Sequence, residues 1–242
     1  MNILLTGKNG FIGSELDMFL SENSDYKIYS TCRQSLDVTS KQQVDAFFKE
    51  HHIDVVVHTA IKGGRRTRTD TFQDFMDNLN MFANLQAHSD KFKFMISFGS
   101  GAENRLDTYY GMAKHIINEQ VKLNDKLVNL RLYGCFGPRE GAGGFIKSSY
   151  RRLLKNEDIV IHQNKYMDFF YIEDVKQVVD YYIKNYQSHD LPQIMDMCYK
   201  DKRTLLEIAY KIKNLTNSNV GIIIDNERAA PSYAGNSTRL DA

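Results

Sequence analysis

Tyr110 and Lys114 lie four residues apart, which on a helix puts a phenol and an ammonium on one face. A neighbouring lysine cation favours phenolate and lowers the phenol's pKa. Such a phenol can protonate a forming alkoxide, or take the proton of an alcohol, near neutral pH. Tyr109 is a rival, but only Tyr110 has a lysine at that offset. Alone, the pair is an ordinary surface feature. Upstream, Ser100 sits in Ser97-Phe98-Gly99-Ser100-Gly101-Ala102, after an apolar run. A hydroxyl at the carboxyl end of a strand points into the ligand crevice of an open α/β sheet. Ser100 could therefore hold a carbonyl oxygen beside the phenol; the plain alternative is a serine in a glycine-rich turn.

A second constellation, Thr6-Gly7-Lys8-Asn9-Gly10-Phe11-Ile12-Gly13, lies between a short apolar run and an amphipathic stretch. Gly7 suits a tight turn, Gly10 the approach of a pyrophosphate to the backbone, and Gly13 close packing of helix on strand. With the N–H groups and positive dipole end of the helix, Gly7, Asn9, Gly10, Phe11, Ile12 and Gly13 form an expected dinucleotide cradle. At the end of the second strand, Ser30-Thr31-Cys32-Arg33 has no acid to accept ribose hydroxyls. Arg33 there suits a 2′-phosphate, which favours NADP, with NAD as the alternative; otherwise Arg33 is a solvated loop cation. Asp37, followed by Val38, could accept from an adenine amino group or cap the helix that opens around Ser40.

Elements must bring these groups together. Strands are expected at 2–6, 26–31, 54–58, 92–98 and 127–133, alternating with helices at 10–20, 40–51, 71–88 and 109–123. This order predicts an α/β fold, a Rossmann-type doubly wound parallel sheet built with right-handed crossovers. After the glycine-rich loop at 137–144 the rhythm breaks. Helices follow at 145–154, 173–186 and 205–215, short strands at 159–162, 194–198 and 220–224, and a tail of little pattern at 229–242. The expected division is a dinucleotide-binding domain of 1–136 and 166–200 and a small C-terminal substrate-binding lobe of 137–165 and 201–242.

Composition removes other classes. The 242 residues carry 31 Lys plus Arg against 30 Asp plus Glu, a balance too even to draw nucleic acid or a membrane surface. Cys32, Cys135 and Cys198 are widely spaced and odd in number, which disfavours a disulfide framework and a CxxC metal or redox site. His51 and His52 are adjacent at a helix end and do not face one site, so no metal is expected. No apolar run approaches the ~20 residues that span a bilayer, and Met1 to Gly7 lacks a signal-peptide pattern. The expectation is a cytoplasmic protein.

Taken in order, the motifs resemble the extended short-chain dehydrogenase/reductase family, the nucleotide-sugar epimerases, dehydratases and reductases, over nearly the whole chain. Residues 6–13 are similar to its TGxxGxxG, and Asp37-Val38 to its adenine-side motif. His58-Thr59-Ala60 resembles the strand motif lining the cofactor, and 78–84 its N-x-x-G-T-x-N helix without the Gly-Thr. Residues 131–138 are similar to R-x-x-N-V-Y-G-P with Gly134 in place of Asn, and 168–175 to D-F-x-Y-V-D-D-V with Met167 where an Arg usually precedes. The resemblance implies catalysis by Ser100, Tyr110 and Lys114. It implies cofactor contacts at the glycine loop, Arg33, Asp37, Val38, His58, Ala60, Asn78, Tyr110, Lys114 and Cys135. It also implies a nucleotide-sugar substrate touching Ser100, and a homodimer paired through two long helices. By charge and position, Lys62 of the basic run 62–68, and Arg139, Lys147, Arg151 and Arg152, are candidate diphosphate contacts.

Arg33 and Ala60-Ile61-Lys62-Gly63-Gly64 look closest to the GDP-fucose synthase branch, a 4-keto-sugar epimerase–reductase using NADPH. That branch places a Cys two residues after the catalytic Ser; here Ala102 stands there, and no His follows soon after Pro138. Dehydratases place an Asp-Glu pair directly after their catalytic Thr; here Gly101-Ala102 follow Ser100, and Glu103 stands alone. Double epimerisation and dehydration are thereby disfavoured. NADPH-dependent reduction of a 4-keto sugar nucleotide is the leading expectation. NAD-dependent C4 epimerisation is the alternative, and a non-catalytic NAD(P)-binding subunit a third.

Overall fold

The computed structural model describes residues 1–65, 68–188, 191–216, 218–228 and 230–240. They form two compact units, Met1–Arg131 with Asp174–Met195, and Leu132–Glu173 with the described residues from Asp196 onward. The units part after Arg131, Glu173 and Met195, whereas the sequence pattern put the seams near 136, 165 and 200.

In the first unit the elements run β1 (Asn2–Thr6), α1 (Phe11–Ser21), β2 (Lys27–Thr31), α2 (Lys41–Glu50), β3 (Val55–His58), α3 (Phe72–Gln86), β4 (Phe94–Ser100), a 3₁₀ turn (Gly101–Asn104), α4 (Tyr109–Val121) and β5 (Leu127–Leu132). The six-stranded sheet has the order β2-β1-β3-β4-β5 and then the strand Ile194–Met197. Ile3, Leu4 and Leu5 lie opposite Val55, Val56 and Val57, and His58 opposite Ser97, in parallel register. This is the Rossmann-type doubly wound sheet that the segment order predicts. β1 is flanked by β2 on one side and β3 on the other. The chain therefore changes direction of winding between them, and a crevice opens at their carboxyl ends.

Strand alternation sets the two faces. Leu4, Val56, Met95 and Leu127 form one buried cluster with Val44 and Phe48 of α2, Met81, Phe82 and Leu85 of α3, and Ile117 and Val121 of α4. Ile3, Leu5, Val55, Val57 and Ile96 alternate with these and are fully buried. α1 packs against β1 and β2. Buried Glu15 of α1 pairs with Lys176, whose Nζ is 2.8 Å from its carboxylate.

Past β5 come β6 (Cys135–Phe136), α5 (Phe145–Leu154), β7 (Ile159–Gln163), β8 (Phe170–Tyr171), α6 (Ile172–Asn185), β9 (Ile194–Met197), α7 (Leu205–Leu215) and β10 (Ile222–Asn226). In the second unit β6 pairs with β8 and β7 with β10, both in parallel. Phe145, Leu153, Ile159, Ile161, Leu205, Ala209 and Val220 make its core. The last strand starts at Ile222 rather than at the predicted 220. Val220 is buried in the core, and Gly221 is occupied by Asp158, whose Oδ1 accepts its N–H at 2.6 Å. The supposedly patternless tail is also held. Asp168 accepts the Gly235 N–H at 2.7 Å, Asp196 accepts the Asn236 N–H at 2.9 Å, and Ser237–Arg239 forms a 3₁₀ turn. No described helix is long and apolar enough to cross a membrane.

Packing and capping are separable by mutation. Leu127→Ala opens a void in the first core and should lower unfolding free energy by about 2–5 kcal/mol. Thr71→Ala removes the capping box that Thr71 and Asp74 form at α3 and should cost about 1 kcal/mol. Urea denaturation followed by circular dichroism measures both.

Candidate active site

At the β1–β3 crevice, Gly7 has φ +78°, a region open to glycine and strained for other residues. A Cβ there would lie 2.6 Å from the Ala60 backbone nitrogen. At Gly13 a Cβ would overlap the Gly7 carbonyl oxygen, so the helix and its loop approach as closely as backbone permits. Gly10 stands at the cap of α1 and offers no side-chain hydrogen bond, and the first turn of the helix has no acidic residue. Its first N–H groups thus carry no competing anion, the condition for binding a phosphate.

Next to this loop is an open cleft of about 500 Å³. Gly7, Asn9, Gly10, Phe11, Arg33, Asp37, Val38 and Ala60, which the sequence reading puts forward as cofactor contacts, line it together with Lys62. Thr6, Cys32, Thr59, Ile61, Arg65 and Met81 also line it. Ile12, Gly13, His58 and Asn78 are not among its lining residues.

Two of these have other work. Asn78 is 1% exposed; its Oδ1 accepts the Lys62 N–H at 2.9 Å and its Nδ2 donates to the Lys62 carbonyl at 2.8 Å. It clamps the loop after β3. His58 is buried, with Nδ1 2.8 Å from Thr6 Oγ1. Burial, with Lys114's charge adding to it, holds its pKa near 3, so the ring is neutral and pins β3 to β1.

Arg33 Nε donates to Asp37 Oδ2 at 3.2 Å. Burial opposes ionisation of Asp37, but hydrogen bonds from Thr39 and the Arg33 guanidinium outweigh it and hold the carboxyl below the usual range. The cap of α2 is Ser40, so the helix-cap reading of Asp37 is set aside. Lys62 forms an ion pair with Asp77. Arg68 pairs with Asp74 at 2.7 Å, and Arg66 and Thr67 lie outside the described residues.

Ser100 is the last residue of β4, which extends two residues beyond the predicted strand end. Its Oγ accepts the Ala102 N–H at 3.1 Å. Thr108 Oγ1 accepts the Gly111 N–H at 3.0 Å and starts α4. Lys114 is 8% exposed; its Nζ donates to the Phe98 carbonyl of β4 and lies 5.8 Å from the Tyr110 ring centroid. Burial pulls its pKa down to about 8 against the opposing charge of Glu103. Gly63 and Gly64 have φ +82° and +69°, and a Cβ on Gly64 would be 2.8 Å from Tyr110 Cε2. The cleft loop thus ends against the phenol ring. The carboxyl end of β4 and the first turns of α4 place Ser100, Tyr110 and Lys114 in one region.

The second unit holds the other predicted positions. Cys135 pairs with Phe170 in the β6–β8 ladder. Arg139 and Arg151 are exposed. Lys147 Nζ donates to the carbonyls of Pro138, at 2.8 Å, and Glu140, so it braces its own loop. Arg152 donates to the Asp158 carbonyl at 3.1 Å.

The profile of the NAD dependent epimerase/dehydratase family matches residues 3–198. No curated protein matches the sequence. Among solved structures, the chain is similar to GDP-mannoheptose C4 reductase from Campylobacter jejuni with NADP bound, at 18% identity over 99% of this chain and 91% of that one, TM-score 0.83. It is similar to GDP-L-fucose synthetase from Naegleria fowleri bound to NADP, at 18% over 99% and 86%, TM-score 0.74. It is also similar to UDP-glucose 4-epimerase from Thermus thermophilus in complex with NAD, at 17% over 100% and 92%, TM-score 0.77. At such identities the likeness is one of fold.

The buried imidazole has a pH consequence. Folded His58 stays neutral down to about pH 3, whereas the unfolded residue protonates near 6.5. Between those values the unfolded state binds more protons, so stability falls as pH drops through that window. His58→Gln should flatten the dependence: its urea midpoint should fall less between pH 7 and pH 5 than that of the unaltered protein.

Proposed function

We propose that this chain, which belongs to the NAD dependent epimerase/dehydratase family, is an NADPH-dependent reductase of a 4-keto nucleotide sugar. The observation that carries the cofactor choice is Arg33 on the cleft wall after β2, where no carboxylate occupies the strand end. A guanidinium there suits a 2′-phosphate. The residues present fit a dinucleotide. The glycine contacts at Gly7 and Gly13 leave room only for backbone, and the uncapped start of α1 supplies N–H groups for a pyrophosphate. Bound there, the nicotinamide supplies the hydride that reduces the sugar carbonyl.

The chain's own groups manage the oxygen. Ser100 Oγ hydrogen-bonds the C4 carbonyl oxygen, and Tyr110 gives it a proton as the carbon accepts hydride, converting ketone to alcohol. Lys114, buried against Phe98 and Tyr110, stabilises the resulting phenolate. Ala102 sits in the 3₁₀ turn and has no ionisable group for inverting the neighbouring carbons, which supports reduction without epimerisation there.

One observation favours the C4 epimerase with NAD. Arg33 is already paired with Asp37, and a 2′-phosphate must compete for it. Fluorescence titration with NADPH and NADH separates the readings. Arg33→Ala should weaken NADPH about tenfold or more and leave NADH unchanged. NAD⁺ that co-purifies and does not exchange would support the epimerase instead.

Tyr110→Phe should retain NADPH binding and lose turnover of 4-keto sugar nucleotides by about a hundredfold or more. Unchanged turnover would remove Tyr110 from the chemistry.

A further inference from the structure

Beneath Ser100 lies a buried charged cluster that the proposed reaction does not use. Glu103 is 4% exposed. Its Oε1 accepts the Ser100 N–H at 3.0 Å and Asn129 Nδ2 at 3.0 Å, and its Oε2 accepts Arg131 Nε at 2.6 Å. Asn118 Oδ1 in turn accepts from Asn129 Nδ2 at 2.8 Å and from Arg131 at 3.1 Å. One cluster thus joins the end of β4, the 3₁₀ turn, β5 and α4. It is packed so tightly that a Cβ on Gly99 would overlap Glu103 Oε1 and Asn129 Oδ1.

Such a cluster is costly to bury and is held by its geometry. Lys114 lies one helical turn before Asn118, on the same face of α4. The groups set against Lys114 are Tyr110 on its own helix, neutral His58 on β3, the Phe98 carbonyl on β4 and Glu103 in the turn; Arg131 on β5 pairs with Glu103. On α3, Asp74 and Asp77 are paired with Arg68 and Lys62. Glu103 is the carboxylate whose charge Lys114 feels.

We propose that Glu103 is the positioning residue of the Ser100–Tyr110–Lys114 site, its carboxylate tying the Ser100 peptide to β5 and serving as counter-charge to Lys114. This rests on the reading of those three residues as the reacting groups. Without the carboxylate, the Ser100 peptide loses its acceptor and Lys114 loses a counter-charge. Without Arg131, Glu103 acts on Lys114 unopposed. The two partners of one ion pair therefore have opposite effects on Lys114.

The test is a titration of Lys114 by ¹³C NMR of lysine-labelled protein, assigned with Lys114→Arg, in the unaltered chain, Glu103→Gln and Arg131→Gln. Thermal melting checks that each variant is folded. Glu103→Gln should move the Lys114 midpoint down by about one pH unit and Arg131→Gln should move it up; Glu103→Asp should restore it in part. An unmoved midpoint, or shifts of the same sign in both variants, would overturn the proposal. Should Glu103→Gln not fold, the Arg131→Gln arm decides it alone. The readout needs neither cofactor nor substrate, so failure of the reductase reading shows separately. Where turnover is measurable, the pH profile of kcat should move with the Lys114 midpoint while KM holds.

Discussion

Two backbones in contact govern this molecule. Gly7 and Ala60, at the ends of neighbouring β1 and β3, approach so closely that a single Cβ would not fit between them. That contact fixes where the sheet changes its direction of winding and where the crevice begins. From one side of it, α1 departs with its N-terminus uncapped. From the other, the loop through Lys62 runs to the Tyr110 ring, clamped midway by Asn78. The glycine-loop end and the Tyr110 end of the cleft are thus set by one junction.

Charge burial is the second theme. His58, Glu103 and Lys114 are each less than a tenth exposed, and each is handled differently. The imidazole is kept neutral, the carboxylate is bonded to three donors, and the ammonium is lodged on a carbonyl with a lowered pKa. Desolvation is tolerated where a partner replaces water. Here the replacements come from β1, β4 and β5.

Much of the frame was legible in the sequence, because periodicity and glycine chemistry are local. Asn2–Thr6, Phe145–Leu154 and Leu205–Leu215 begin and end where apolar spacing and breakers say they should. Eight of the predicted cofactor positions lie on the cleft wall. What escaped depends on partners distant in the chain. The paired strands β6 and β8 have two residues each, too few for any period. Asn78 resembles a cofactor contact, and its amide is matched to both the N–H and the carbonyl of Lys62, sixteen residues earlier. Glu103 stood out only as an isolated acid, and nothing near it hinted at Arg131 and Asn129 on β5. Side-chain pairing across elements has no signature in a single chain.

The pair Arg33 and Asp37 differs from all of these. It sits in a solvated loop, with the arginine side chain 66% exposed and the aspartate 21%. A surface pair of that kind contributes little to folding, so Arg33 can change at little cost to stability, whereas Asp37 also accepts from Thr39. The glycine-loop end of the cleft has no such freedom, since its tightest point is backbone on backbone. Substitutions after β2 can therefore change the charge of the cleft wall while the glycine loop stays fixed. Related chains are expected to differ in the charge of this wall sooner than in the backbone junction beside it.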